Sequence, residues 1–312
     1  MNTLQEALHE YLELRRGLGF KMHEAAMLLP RFIQFLDERQ VGHITIRLAL
    51  EWAQAPSVQP AEWARRMCFV RGFARYRSAT DSLTEVPPIG LLPYRSNRAR
   101  PYLYTDEELR RLLDAALKLP TVWPSTPLRP WVFHCLLGLL SVTGLRISEA
   151  LDLKLGDIDL DQAILTIRAA KFGRSRLVPI HPSTCAVLTE YLLRREQFFC
   201  RPVSLFVFVN RYGNRLDVGH VHRTFYALSR CVGLRAPGAS SGPRLHDFRH
   251  RFAVRVLTDW YKSDEDPERR LPVLSTYLGH VCVASTYWYL SSWPELMAQA
   301  MTRLERRWGE SS

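Results

Sequence analysis

The sequence predicts a mainly α-helical protein with a small antiparallel β-sheet, organised as two domains. Apolar residues recur at helical spacing through most of the chain. Two short runs, "AILTI" (163–167) and "RLVPI" (176–180), flank the turn "RAAKFGRS" in the manner of a β-hairpin. A segment rich in proline and arginine, "VPPIGLLPYRSNRARP" (86–101), interrupts the helical period. A length of 312 residues also exceeds that of one average domain.

These features predict an all-α domain over 1–86, a basic linker over 87–102 and a mixed α+β domain over 103–312. In the first domain, Leu4, Leu8 and Leu12 mark one amphipathic helix and Leu29, Phe32 and Leu36 mark the apolar stripe of a second. Pro30 lies within the second set, where it indicates a kink or a helix start.

A formal charge of +11 indicates a polyanionic partner, most simply a nucleic acid. Arginines alternate with aromatic residues in "AEWARRMCFVRGFARYRSA", which fits a helix that turns Arg71 and Arg75 toward phosphates. It fits a solvated basic face on a packed helix equally well. The linker adds positive charge without a balancing acid, through Arg95, Arg98 and Arg100.

The sequence lacks the patterns that are typical of metal-binding, secreted and membrane-spanning proteins. It contains no CxxC pair and no Cys/His cluster at zinc spacing, so no metal site is expected. The charged, amphipathic start differs from a signal peptide. The most apolar run, 131–144, is too short to span a bilayer. We therefore expect an intracellular, cytoplasmic protein with no membrane partner.

The second domain has a regular series of element signals. Thr105 and Glu108 form a predicted capping box, and an apolar helix is expected over about 130–141. A turn containing Gly144 leads into another helix, and Ser183 or Thr184 is expected to cap a helix that ends near 196. "LFVFV" (205–209) is a candidate strand. Further helices are expected over about 217–231, 246–261 and 269–279, then through the tyrosines at 287 and 289 and from 294 to about 307.

Four pieces of this domain carry chemistry, and each is weak alone. "TGLRISEAL" places Arg146 and Glu149 three apart on one helix face, which usually means a surface ion pair. "HDFRH" places His246 and Arg249 on one face in the same way. A single histidine after a C-capping glycine, such as His280, and a lysine at a hairpin tip, such as Lys171, are ordinarily structural or solvated.

With a tyrosine at 287 or 289, the pieces supply two arginines, a lysine, two histidines and a tyrosine. Phosphoryl transfer uses such a set, because its transition state spreads negative charge over the non-bridging oxygens. Planar guanidinium groups hold that charge bidentately. An oxygen nucleophile and an acid for the leaving oxygen complete the requirement.

In order and spacing, these residues resemble the tyrosine recombinase (phage integrase) family, over about 103–290. The family pattern is Arg, Lys, His-x-x-Arg, His or Trp, then Tyr. The matching residues are Arg146, Lys171, His246, Arg249, His280 and Tyr289. The spacing from "LGH" favours Tyr289 over Tyr287, and residues two apart on a helix point about 200° apart, so both cannot face one phosphate. Tyr287 is instead expected to pack its helix against the domain.

The resemblance implies a fold and a reaction. Residues 1–86 are expected to be a core-binding, SAM-like domain and 103–312 the catalytic domain. Tyr289 is expected to form a 3′-phosphotyrosyl bond while Arg146 and Arg249 hold the phosphate, with Lys171 as acid and His246 and His280 managing the tyrosine proton. Glu149 is expected to orient Arg146 or a histidine.

The resemblance further implies double-stranded DNA as partner, a tetrameric synapse on it at the nucleoid, accessory or sibling recombinases, and no cofactor. A type IB topoisomerase and a catalytically silent DNA-binding protein remain alternatives. Integration, transposition and chromosome dimer resolution also remain open, with a lean toward a mobile-element integrase.

Overall fold

The computed structural model describes residues 3–55, 60–92, 101–121, 127–168, 175–199, 203–239, 241–263, 267–280, 282–283, 286–287, 297–298, 301–302 and 305. Helices dominate, and three short strands form one antiparallel sheet, which confirms the predicted class. The chain divides into two compact units, Met1–Ala99 and Arg100–Ser312. Within the described ranges, no helix has the length and apolarity needed to cross a membrane.

The first unit is built from four helices around its own apolar core. They are α1 (Leu4–Gly17), α2 (His23–Asp37), α3 (Ile46–Gln54) and α4 (Pro60–Arg77). Thr3 caps α1 through a capping box with Glu6. α2 runs through Pro30 without ending there. Phe32 and Phe73, which are fully buried, lie in the core that these helices share.

The arginines of α4 do not form a uniform basic face. Arg71 donates to the carbonyl oxygens of Pro87 and Pro88 at 2.7 and 2.8 Å, so its guanidinium holds the beginning of the predicted linker against this unit. Arg77 is buried. Arg75 is exposed, and of the two candidate DNA contacts on this helix it is the more accessible to solvent.

Among its described residues, the second unit combines the sheet with seven α-helices and a short 3₁₀ helix, Leu155–Asp157. These are α5 (Asp106–Leu117), α6 (Leu128–Thr143), α7 (Ile147–Asp152), β1 (Ile158–Asp159), β2 (Ile164–Ile167), β3 (Arg176–Pro179), α8 (Pro182–Phe199), α9 (Val218–Cys231), α10 (His246–Lys262) and α11 (Pro267–Leu278). Thr105 and Glu108 form the predicted capping box on α5. β2 and β3 pair antiparallel, with Leu165 opposite Val178, so the two predicted strands of the hairpin are confirmed.

Two predicted details are wrong. The run 205–209 forms only isolated bridges, Lys154 with Phe206 and Val209 with Arg215. Val207, Phe208 and Val209 are held by burial in the core and not by a continuous ladder, and Leu205 is exposed. Neither Ser183 nor Thr184 caps α8, which begins at Pro182. Proline suits the first helical position, since its fixed φ fits the helix and its missing N–H would be unsatisfied there anyway.

α6 is the central helix of the second core, and its C-terminal end positions the site. Leu136 and Leu137 are fully buried in the cluster that also holds Leu165 of β2 and Phe248 of α10. The helix ends at Gly144, which is left-handed with φ of +61° and leads directly into α7.

Leu136→Ala is expected to lower the free energy of unfolding by about 2–5 kcal/mol, because it removes buried methyl groups and leaves a cavity in the centre of the second core. Urea denaturation followed by circular dichroism measures the change. Val142→Ala is the matched control on the same helix, because Val142 is 48% exposed, and it should change stability by less than about 0.5 kcal/mol. Equal effects of the two variants would contradict the assigned core.

Candidate active site

The site begins at the junction of α6 and α7, where Arg146 precedes the first helical residue. The Glu149 carboxylate accepts hydrogen bonds from the Arg146 backbone N–H at 3.0 Å and from its Nη1 at 2.7 Å. The sequence spacing of three residues produces this closed arrangement, because residues i and i+3 meet on one helix face. Arg146 keeps 24% of its side chain exposed, while Glu149 keeps 4%.

Glu149 is shared with a second arginine, Arg176 at the start of β3. Arg176 donates from Nη1 to Oε1 at 3.1 Å and from Nη2 to Oε2 at 2.8 Å. Burial opposes ionisation of Glu149, but the hydrogen bonds from Arg176 and from the Arg146 backbone outweigh it, so its pKa lies below the usual value. The pair predicted from the sequence is therefore a buried three-member cluster, and not the surface ion pair that its spacing alone suggests.

The C-terminal end of α11 supplies acceptors for both predicted phosphate-binding arginines. Arg249 donates to the carbonyl oxygens of Leu278 at 2.5 Å and Gly144 at 2.9 Å. Arg146 donates to the carbonyl oxygen of Gly279 at 3.0 Å. Unpaired carbonyls at a helix C-terminus carry partial negative charge, which favours guanidinium groups there. These bonds fix the position of Arg249 and compensate its burial, since the residue is only 2% exposed.

A glycine turn after α11 brings His280 next to the carbonyl oxygens that bind Arg146 and Arg249. Gly279 has φ of +66°, and the His280 N–H donates to the Ser275 carbonyl oxygen at 2.9 Å, as expected for a C-capping glycine. His280 Nδ1 lies 2.8 Å from the Thr286 hydroxyl oxygen. Burial, followed by the positive charges of Arg249 and Arg146, lowers the pKa of His280 to about 4.

His246 occupies the first position of α10, one turn before Arg249. Its ring meets that of His250 edge-on, with 4.7 Å between centroids. Desolvation and the charge of Arg249 lower its pKa to about 4. His246 is exposed, which weakens the effect of desolvation on its pKa. The positive charges of the neighbouring arginines also disfavour the imidazolium, so the pKa is still lowered. Both imidazoles are therefore neutral at pH 7.

The fold thus brings Arg146, Arg249 and His280 together, because both guanidinium groups bind carbonyl oxygens of the two residues that precede His280. His246 lies one turn before Arg249 on α10. Glu149 joins them through Arg146. Such a cluster can hold a phosphate with two guanidinium groups and offer neutral imidazoles as proton acceptors. In the part of the chain that the structure describes, no three His, Cys, Asp or Glu residues are grouped as a metal site.

Five predicted site residues lie outside the described residues: Lys171, Tyr289, Arg95, Arg98 and Arg100. Tyr287 is described, and the expectation that it packs against the domain is wrong, because its side chain is 52% exposed. Thr286, the described residue next to it, is fully buried. Consecutive helical residues differ by about 100° in direction, so the burial of Thr286 turns Tyr287 toward solvent.

Sequence reasoning missed Arg176. The pattern of "RLVPI" predicts only a strand. An arginine that is buried at the start of such a strand carries a charge that needs a partner, and this is the signal that could have indicated its role. No sequence rule indicates that this partner is Glu149, 27 residues earlier.

Comparison with known proteins gives consistent matches. Residues 103–295 match the family model described as the phage integrase family. The chain is 58% identical over 310 residues to a protein of Sinorhizobium fredii named as an integrase/recombinase, y4rB, and the match covers 99% of each.

Two solved structures share the fold. The Tn1549 transposon integrase in complex with transposon right end DNA superposes with a TM-score of 0.67 at 15% identity, covering 98% of this chain and 99% of that one. A lambda integrase tetramer bound to a Holliday junction gives a TM-score of 0.61 at 18% identity, covering 90% of this chain and 78% of that one.

Arg146→Gln is expected to raise the pKa of His280 from about 4 toward the usual histidine value, because it removes a positive charge that disfavours the imidazolium. NMR of the labelled histidine ring carbons between pH 8 and 5 measures it. The wild-type His280 signal should stay constant over this range, whereas that of the variant should begin to move at the acidic end. Arg146→Lys keeps the charge and serves as control; identical titrations of the Gln variant and the wild type would contradict the assigned electrostatics.

Proposed function

Because this chain belongs to the phage integrase family, we propose that it is a site-specific DNA recombinase that breaks and rejoins strands through a covalent phosphotyrosine. The observation that carries the proposal is the pair of guanidinium groups of Arg146 and Arg249. One immediately precedes α7 and the other lies on α10, and both are anchored by main-chain carbonyls around Leu278, with neutral histidines beside them.

In the first step, the Tyr289 hydroxyl oxygen attacks the phosphorus of a DNA phosphodiester. The bond to the 5′-oxygen breaks, and the electron pair leaves with that oxygen, which takes a proton from Lys171. Arg146 and Arg249 stabilise the charge that develops on the two non-bridging oxygens. In the second step, a 5′-hydroxyl from another strand attacks the 3′-phosphotyrosyl bond and releases the tyrosine. The bond energy stays in the adduct, so the exchange needs no ATP. The two arginines supply the charge stabilisation for which other phosphoryl-transfer enzymes use a metal.

The lowered pKa values of the two histidines support their role as acceptors of the tyrosine hydroxyl proton. Tyrosine has a reference pKa of about 10 and is protonated at pH 7, so its attack requires an acceptor. His246 and His280 are neutral at that pH and can accept the proton. A bound phosphate brings negative charge to the site, which favours the imidazolium that forms.

Helical geometry supports Tyr289 over Tyr287 as the nucleophile. Thr286 is fully buried and contacts His280, which marks the inward face of this turn. A helix through the tyrosines, as the sequence predicts, would place Tyr289 three residues after Thr286 and on that same face. Tyr287 would point away from it, consistent with its exposure of 52%.

The proposed substrate is double-stranded DNA, held by the 1–86 domain, the basic 103–312 domain and the arginines of the 87–102 linker, and the proposed place of the activity is the nucleoid. The complexes of the Tn1549 and lambda integrases support a DNA-bound assembly of several protomers and, for this chain, mobile-element DNA as the substrate. In the helix predicted from 294 to about 307, the apolar residues Met297 and Met301 are 50% and 58% exposed, which supports a contact with another protomer over docking on the same domain.

The purified protein is expected to form an SDS-resistant adduct with nicked DNA from the ends of its own genetic locus, in the presence of EDTA. The nick prevents religation, so the 3′-phosphotyrosyl protein accumulates and mass spectrometry identifies the residue. Tyr289→Phe should abolish the adduct, and Tyr287→Phe, the matched control, should retain it.

An adduct on Tyr287 would overturn the assignment of the nucleophile. Loss of the adduct in EDTA with recovery in magnesium would instead indicate a metal-dependent nuclease. Tight DNA binding without any adduct would indicate a silent DNA-binding protein, and site-independent relaxation of supercoils by a monomer would indicate a topoisomerase.

Arg146→Ala is expected to slow adduct formation by about 10²–10³-fold while the Kd for DNA changes little, because the lost interaction strengthens as charge develops on the phosphate. Single-turnover gel assays at saturating protein measure the rate. Arg110→Ala removes an arginine from the exposed pair with Glu107 on α5 and should leave the rate unchanged. A cleavage rate unchanged by Arg146→Ala would refute its role in holding the phosphate.

A further inference from the structure

We infer that Arg176 is a positioning residue for the phosphate-binding arginine, which it supports through Glu149. The inference rests on the proposed function, since it concerns how that reaction's site is held together. Arg176 is almost as deeply buried as the carboxylate it binds, with 9% of its side chain exposed. Its role has to be structural or electrostatic, because its guanidinium is occupied by protein groups.

The geometry of the shared carboxylate is symmetric. Oε1 accepts from Arg146 Nη1 at 2.7 Å and from Arg176 Nη1 at 3.1 Å. Oε2 accepts from the Arg146 backbone N–H at 3.0 Å and from Arg176 Nη2 at 2.8 Å. Each oxygen therefore has one bond to residue 146 and one to residue 176, and loss of Arg176 would leave the carboxylate half satisfied.

Charge balance gives this sharing a consequence for the reaction. A carboxylate paired with Arg146 alone would cancel the charge that the phosphate needs. With Arg176 included, two guanidinium groups share one carboxylate, and the three side chains carry a net charge of +1. Arg146 therefore remains fixed by Glu149 while the group as a whole still attracts an anion.

Arg176 also joins three separate segments. It is the first residue of β3, the second strand of the hairpin. Its Nε donates to the Tyr277 carbonyl oxygen at 2.7 Å, in the last turn of α11 before His280. Only a planar guanidinium can direct two parallel bonds to a carboxylate and a third to a carbonyl.

The glycine at 279 makes room for this guanidinium. A Cβ built on Gly279 would lie 2.8 Å from Arg176 Nη1 and 3.1 Å from Cζ, closer than ordinary packing allows. Gly279 therefore has two effects: its positive φ turns the chain toward His280, and its lack of a side chain leaves space for the Arg176 guanidinium. The hairpin, α7 and the His280 segment are consequently held by one side chain.

The test compares Arg176→Met, Arg176→Lys, Glu149→Gln and the Arg176→Met/Glu149→Gln double variant. Each is assayed for single-turnover adduct formation on nicked DNA, for DNA Kd and for thermal unfolding. Arg176→Met should slow adduct formation by about a hundredfold with Kd within about twofold, as small displacements of catalytic groups do. Arg176→Lys should recover part of the rate, since it restores the charge and one bond. Arg215→Met, which removes the separate pair with Asp152, should react like the wild type.

The double variant should be no slower than the slower single variant, because Arg176 acts through Glu149. Multiplying effects, a wild-type rate for Arg176→Met, or a Lys variant no faster than the Met variant would each overturn the inference. If Arg176→Met fails to fold, the Lys and Gln variants decide it on the same rate and Kd criteria. Absence of any adduct with the wild-type chain would refute the proposed function itself, and the inference with it.

Discussion

The buried carboxylate of Glu149 is the constraint on which the rest of the site depends. A carboxylate that is 4% exposed is costly unless its charge is compensated and its oxygens are hydrogen-bonded. Arg146 and Arg176 meet both conditions from opposite sides, and the pKa of Glu149 is lowered although burial alone would raise it. The consequence is that α7 and β3 are joined at the point where a phosphate-binding arginine must be rigid.

Main-chain carbonyls provide the second set of anchors, and glycine turns make them available. Arg249 reaches the carbonyls of Gly144 and Leu278, which lie at the ends of α6 and α11. Gly144 has a positive φ, and a Cβ there would lie 2.7 Å from the Phe252 ring, so neither its conformation nor its surroundings favour a side chain. Two helix C-termini thus converge on one guanidinium, and their partial negative charges stabilise this buried cation.

The same concentration of positive charge sets the state of the histidines. Arg146 and Arg249 disfavour the imidazolium form of His280, and Arg249 does the same at His246. An arriving phosphate would offset that charge, so the site without substrate differs electrostatically from the site with it. Anion binding and proton acceptance are therefore linked through the same two arginines, which is a useful property for a reaction in which a neutral phenol attacks a phosphodiester.

Local sequence signals determined much of this protein. The capping box at Thr105, the two strands of the hairpin, the helix beginning at His246 and the turn at Gly279 were all predictable, because caps, turns and helical periodicity depend on residues a few positions apart. So were Arg146, Glu149, His246, Arg249 and His280 as candidates, through their order along the chain. Only the tertiary structure decided that Glu149 is buried and shared with Arg176, that the run 205–209 is not a strand and that Tyr287 faces solvent. Each of these outcomes depends on contacts between residues distant in sequence, or on which face of a turn is buried, and neither is encoded in local spacing.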